Sequence, residues 1–238
     1  MGTPARLRAA AKLTVSLRVL GTRSDGYHLI DAEMLTLDLA DELTFADGDG
    51  LEVLGGAGLP VVADDDNLVR RALRAVGRTA HVTLTKRIPA GGGLGGGSAD
   101  AAAVLRWAGV DDLALAASLG ADVPFCLVGG RARVTGIGEV LEPLPLVART
   151  FTLLTPPFGV STPAVYRAWD ELRGPTAEGP NDLEPAALRV EPRLAEWRDR
   201  LGDATGLTPV LAGSGSSWFV EGAFPGDDRV VTRSDRPA

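Results

Sequence analysis

From Leu13 to Val19 apolar and polar residues alternate, with Leu13, Val15, Leu17 and Val19 on one side and Thr14, Ser16 and Arg18 on the other. This period of two predicts a strand with one face on a core, and Lys12 begins its polar face. Leu35, Leu37 and Leu39 repeat the pattern; Asp41-Glu42 reads as a turn, and Leu43-Thr44-Phe45 follows as the next strand of an antiparallel meander. The spacing then changes to helical at Leu68, Val69, Ala72, Leu73 and Val76. Before it, Asp64-Asp65-Asp66-Asn67 reads as cap and first-turn residues rather than a metal site. His81 to Thr85 is a predicted strand, Ser98 to Ala108 and Leu113 to Leu119 are predicted helices, and Asp122 with Pro124 opens a further one after Gly120. Arg131 to Thr135 and Glu139 to Leu141 form a predicted hairpin.

The proline-rich stretch Glu142-Pro143-Leu144-Pro145-Leu146 is the best boundary, giving units 1–145 and 146–238. The second unit reads as a strand at Phe151 to Thr155, a helix opened by Thr162-Pro163 and helices around 181–190 and 193–201. Strands at Pro209 to Ala212 and Trp218 to Val220 follow, so the fold class is α+β.

Between the strand ending at Thr85 and the helix beginning at Ser98 lies Lys86-Arg87-Ile88-Pro89-Ala90-Gly91-Gly92-Gly93-Leu94-Gly95-Gly96-Gly97-Ser98-Ala99. Glycines allow positive φ and close approach of a ligand, and the N–H groups of a first helical turn have no intrahelical acceptor. A strand, a glycine loop and a helix N-terminus therefore favour an anion, most simply a phosphate. The string contains GxGxxG, yet Asp111-Asp112 opens a helix instead of ending a second strand, which argues against a dinucleotide fold. A Walker loop requires Gly-Lys-Ser/Thr, absent here.

The 238 residues are 45% hydrophobic and 23% charged, with a net charge of −7 and no basic cluster longer than a pair. Nucleic acid and anionic membrane are excluded as expected partners, and the absence of a long apolar run gives a cytoplasmic expectation. The single cysteine, Cys126, rules out an intrachain disulfide. Of 24 basic residues only Lys12 and Lys86 are lysines, so these two mark places where a compact ammonium matters. Tyr27-His28 can stack on and hydrogen-bond a heterocycle, or pack over a sheet edge. Asp122 is an N-cap candidate and also a rigid carboxylate suited to accept a proton. Gly213-Ser214-Gly215-Ser216-Ser217 is a second glycine turn.

Together Ala11-Lys12-Leu13, Pro89 to Ala99 and Gly213 to Ser217 resemble, in order, the three motifs of the GHMP small-molecule kinases. The strings Arg23-Ser24-Asp25-Gly26-Tyr27-His28, Asp66-Asn67-Leu68, Gly120-Ala121-Asp122-Val123-Pro124 and Asn181-Asp182-Leu183-Glu184 are similar to the branch acting on a cytidine diphosphate-linked methylerythritol in non-mevalonate isoprenoid synthesis. The resemblance implies a ribosomal-S5-like N-terminal α/β domain, a ferredoxin-like C-terminal domain and an active site between them. It implies ATP with Mg2+, phosphates over Gly91, Gly92, Gly93, Leu94, Gly95, Gly96, Gly97 and Ser98, with Pro89, Ala90 and Ala99 beside them. Asn67 and Lys86 would be near the adenosine and Ser98 near the metal. Asp122 would be the catalytic base and Lys12 its partner. Tyr27 and Tyr166 would sandwich cytosine, His28 would read its edge, and Gly213, Ser214 and Gly215 would touch substrate. Thr14 stands where the first motif usually has Asn, and the usual terminal helix after Val220 is missing, which would destabilise the second domain or expose apolar sheet surface for pairing with a partner. The alternatives are another GHMP kinase, or a non-catalytic nucleotide-binding homologue.

Overall fold

A computed structural model describes residues 4–56 and 58–236. The first unit holds β1 (Ala5–Thr22), β2 (His28–Ala46), β3 (Gly50–Gly55), α1 (Leu68–Ala75), β4 (His81–Lys86), α2 (Gly96–Ala108), α3 (Leu113–Leu119), α4 (Val123–Val128), β5 (Arg131–Gly136) and β6 (Val140–Leu144). The second holds β7 (Thr150–Leu154), α5 (Thr162–Glu171), α6 (Glu184–Val190), α7 (Leu194–Thr205), β8 (Val210–Leu211), β9 (Trp218–Glu221) and β10 (Val230–Arg233).

β2 is the spine of the first sheet, whose order is β3-β4-β2-β5-β6 with β1 also paired to β2. The expected meander is corrected: β2 is one continuous strand, and Asp41-Glu42 lies inside it as paired residues. Asp41 is fully buried and its carboxylate takes N–H groups from β4's end, so its partners lie far along the chain. The helices cover one face of this sheet, where Leu43, Phe45, Val82 and Leu84 pack against Val69, Leu73, Val104 and Leu105. Asn67 alone caps α1, its Oδ1 accepting from Val69 N–H at 2.9 Å; Asp64 to Asp66 lie upstream of the first turn rather than in it.

The second sheet is antiparallel in the order β10-β7-β9-β8. In chain order this is 4-1-3-2, the ferredoxin-like arrangement, with 222–229 replacing its second helix. One face packs Leu154, Trp218 and Val220 against Val165, Trp169, Leu183 and Leu201. Phe224 from the helix-less connection also packs there, its N–H bonded to Thr152 Oγ1 at 2.9 Å. The opposite face is not exposed, contrary to the expectation: Phe151, Leu153 and Phe219 form one cluster with Leu13, Leu35, Leu37, Ile88 and Leu94 of the first unit. Each such side chain contributes about 1.5–3 kcal/mol on burial, so the two units share a core rather than a loose hinge.

The shared core takes the Leu13 face of β1. Its polar face is closed by Gly95 of the glycine loop, Gly213 of the second glycine turn and Asp122, so Lys12 and Thr14 are buried instead of solvated. Leu17 N–H donates to Pro180 O at 2.8 Å, and Asp182 N–H to Leu17 O at 2.9 Å, which ties the strand's free edge to the second unit.

Candidate active site

Lys12 N–H donates to Leu94 O at 3.0 Å, fixing β1 against the glycine loop. Its ammonium lies 3.3 Å from Asp122 Oδ2 and donates to Thr14 Oγ1 at 3.1 Å. Thr14, in the place of the usual Asn, thus accepts from the lysine. Asp122 occupies the N-cap position of α4 but makes no side-chain capping bond. The carboxylate is free to face Lys12, and at 32% side-chain exposure it remains open to the adjoining cavity. Its charge reaches further: burial first and Asp122 second raise the Tyr166 hydroxyl above its ordinary pKa, and push the Cys126 thiol up to about 12.

The glycines divide their work. α2 starts at Gly96, two residues before the predicted Ser98, because Gly95 at φ +69° supplies the left-handed residue that turns the chain into the helix. The first-turn N–H groups of Gly96, Gly97 and Ser98 therefore have no intrahelical acceptor. Gly92 and Gly93 instead pack on the second glycine turn. Ser217 N–H donates to Gly92 O at 3.0 Å, and a Cβ on Gly93 would meet Ala212 O and Gly215 O at 2.6 Å each. Gly95 abuts the Lys12 stem, where a Cβ would lie 2.7 Å from Cγ.

Two cavities meet at this loop, sharing Gly93 and Gly95 in their walls. The larger, about 550 Å³, runs from Lys12, Ser98, Asp122, Gly213 and Ser214 to Tyr27, His28 and Tyr166. The smaller, about 210 Å³, is walled by Asn67, Lys86, Asp100 and Pro89 to Gly97.

Several expected contacts are placed differently. Ala99 points into the core and walls neither cavity. The Asn67 amide is occupied at both ends, by Val69 N–H and by donation to Val62 O. The Lys86 ammonium is engaged by Asp41 and Asp100. Gly215 packs on Gly93 rather than walling a cavity. His28, not Tyr27, is the ring stacked on Tyr166, with centroids 4.7 Å apart and planes at 29°. Its Nε2 is 2.8 Å from Asp170 Oδ1, while Tyr27 is 59% exposed.

Sequence reasoning reads Asp41 as a turn residue, assigns no role to Asp100 and uses the Asn181-Asp182 pair only as part of a family string. Asn181, buried, donates from Nδ2 to Leu211 O at 2.8 Å and Gly213 O at 2.7 Å, holding the second glycine turn. Asp182 accepts from Arg18 at 2.7 Å and from Val19 N–H. Their signal is an Asn-Asp pair directly before an apolar helix, which also fits an ordinary cap.

A phosphate-type glycine loop joined to a lysine–carboxylate pair, on a ribosomal-S5-like unit fused to a ferredoxin-like one, defines a GHMP-type small-molecule kinase. The family model for the GHMP kinases N terminal domain matches residues 67–130. The chain is 40% identical over 240 residues to the 4-diphosphocytidyl-2-C-methyl-D-erythritol kinase of Paracoccus denitrificans, covering 90% of this chain and 85% of that one. It is 38% identical to the enzyme of the same name from Ruegeria pomeroyi, covering 92% and 88%. A crystal structure of 4-(cytidine 5'-diphospho)-2C-methyl-D-erythritol kinase superposes with a TM-score of 0.75 at 35% identity, covering 97% of this chain and all of the other. A homoserine kinase from Cytophaga hutchinsonii, at 18% identity and TM-score 0.57, shares the fold alone. The chain belongs to the 4-diphosphocytidyl-2-C-methyl-D-erythritol kinase family.

Proposed function

We propose that the chain transfers the γ-phosphoryl group of ATP to the 2-hydroxyl of 4-diphosphocytidyl-2-C-methyl-D-erythritol, a step of the non-mevalonate isoprenoid route. The observation that carries this reading is the Lys12–Asp122 pair, 3.3 Å apart, at the junction of a glycine-loop cavity and an aromatic-ended one. Phosphoryl transfer requires alignment and charge neutralisation more than covalent help from the protein. The free amides of α2's first turn receive the phosphates, Asp122 accepts the proton of the tertiary hydroxyl as it attacks, and Lys12 holds that oxygen.

Mg2+ enters as MgATP. Among the described residues no group of three His, Cys, Asp or Glu side chains would hold an ion unaided, and Ser98 in the cavity wall offers its hydroxyl to the complex. At the far end, His28 with Nε2–H donated to Asp170 leaves Nδ1 as an acceptor in its neutral form. An exocyclic amine such as that of cytosine supplies the matching donor, and Tyr27 and Tyr166 supply ring surface. The homoserine- and mevalonate-kinase likenesses rest on fold alone and name no acceptor for this chain.

The test is product formation from MgATP with the cytidyl substrate, its uridyl analogue, homoserine and mevalonate in parallel. Phosphorylation of the cytidyl compound alone supports the reading. Turnover of another acceptor in preference to it moves the assignment to a different GHMP kinase, and ATP binding with no turnover supports a binding homologue.

A further inference from the structure

The glycine loop is gripped in its middle by Lys12 and the second glycine turn, and at its two ends by a buried charge cluster. Asp41 on β2 accepts N–H groups from Arg87 at 2.5 Å and Ile88 at 2.8 Å through Oδ1, and the Lys86 ammonium through Oδ2. Lys86 also donates to Asp100 Oδ2 at 2.8 Å. The three side chains are 0–3% exposed, and they belong to β2, to the end of β4 and to α2. One ammonium therefore joins the strand entering the loop to the helix leaving it, and fastens both to the spine of the sheet.

The space around that ammonium is small. A Cβ on Gly96, the first residue of α2, would lie 3.1 Å from Lys86 Nζ. A guanidinium is wider and demands a planar fork. This is one of only two lysines in a chain with 24 basic residues, which fits a position that a compact ammonium fills and an arginine does not. Lys86 and Asp100 wall the smaller cavity, but the ammonium is turned to the two carboxylates.

We infer that Asp41, Lys86 and Asp100 are positioning residues for ATP: they set the separation and direction of the two ends of the glycine loop, and act on the nucleotide through the loop amides. The inference rests on the kinase reading above, but only on its ATP half. Its chemistry is independent of which alcohol accepts the phosphoryl group.

The experiment measures the ATP dissociation constant by calorimetry, KM for ATP and for the acceptor, and the melting temperature. The variants are Asp41→Asn, Asp100→Asn, Asp100→Ala and Lys86→Arg. Asp41→Asn keeps an oxygen for Arg87 and Ile88 but offers Lys86 a donor in place of an acceptor. It is expected to weaken ATP about tenfold with the acceptor KM unchanged. Asp100→Ala should behave alike, while Asp100→Asn, whose amide oxygen still accepts from Lys86, should stay within about threefold of wild type. Lys86→Arg keeps the charge and should nevertheless weaken ATP about tenfold. If these variants lower the melting temperature but bind ATP as wild type does, the cluster is structural only and the inference fails. Wild-type ATP affinity in Lys86→Arg likewise overturns it. Should Asp41→Asn not fold, the contrast between Asp100→Ala and Asp100→Asn separates the same two outcomes. Wild-type protein that binds no ATP at all overturns the kinase reading, a result separate from either.

Discussion

Replacing Gly93 by alanine, beside the same change at Gly97, separates the two uses of the glycines. Gly93 sits at φ +74°, where an L-residue costs about 1–2 kcal/mol. Its Cβ would meet Ala212 O and Gly215 O at 2.6 Å, both backbone atoms that no rotamer change can move aside. Overpacking of that kind costs about 1–3 kcal/mol more. The sum, about 2–5 kcal/mol, is a large share of the ~5–15 kcal/mol by which domains are stable, and at this chain length lowers Tm on the order of 10 °C. Gly97 is helical, without positive φ, and its Cβ would touch only Leu68 Cδ1 at 3.4 Å. Alanine there gains up to about 1 kcal/mol of helix propensity but adds a methyl to the wall of the smaller cavity. Gly97→Ala should therefore keep or slightly raise Tm and raise KM for ATP about tenfold, whereas Gly93→Ala should lose stability and activity together. Thermal melts and ATP titrations of both decide it. A Gly93→Ala protein melting within about 2 °C of wild type, or equal destabilisation by Gly97→Ala, would refute the division.

Three further outcomes are expected. Cys126, buried and with its thiol pushed up to about 12, should resist alkylation at pH 8 in the folded protein and react on unfolding, as mass spectrometry would report. Desolvation raises the Asp100 carboxyl to about 7, so the folded state holds a proton that the unfolded chain releases near 3.8. Its contribution to stability is full below the lower value and lost as pH rises through about 7, so urea midpoints should fall from pH 5 to 8 in wild type and fall less in Asp100→Asn. Asp170→Ala should raise the KM for the cytidyl substrate about tenfold without changing that for ATP, because nothing then accepts from Nε2–H to fix the His28 ring; equal changes in both KM values would contradict this.

Local pattern reveals the parts whose causes are local. β4, the glycine loop and α2 are legible because alternation, six glycines and an alanine-rich run follow one another, and the hairpin of β5 and β6 because Gly136 and Gly138 interrupt it. Asp41 reads wrongly as a turn since acidic pairs between apolar runs usually are, and its partners are 45 and more residues away. Lys12 looks like the start of a solvated face because nothing in β1 announces that Gly95, Gly213 and Asp122, all far along the chain, will close around it. The expected bare sheet surface fails for the same reason: the first unit covers one face and Phe224 helps close the other. The aromatic end is half legible. The Tyr27-His28 pair stands out as an aromatic beside an imidazole, but the stacking of His28 on Tyr166 depends on α5, over 130 residues later.

The roles of Asp122 and Lys12 are tested most sharply by ADP release from MgATP, with and without 4-diphosphocytidyl-2-C-methyl-D-erythritol, for wild type, Asp122→Asn and Lys12→Ala. Release should depend on the substrate and drop at least about 10²-fold in each variant while ATP still binds, since general-base catalysis alone contributes about 10²–10⁴. Wild-type turnover retained in Asp122→Asn, or no substrate-dependent release from wild type that binds both ligands, would contradict those roles.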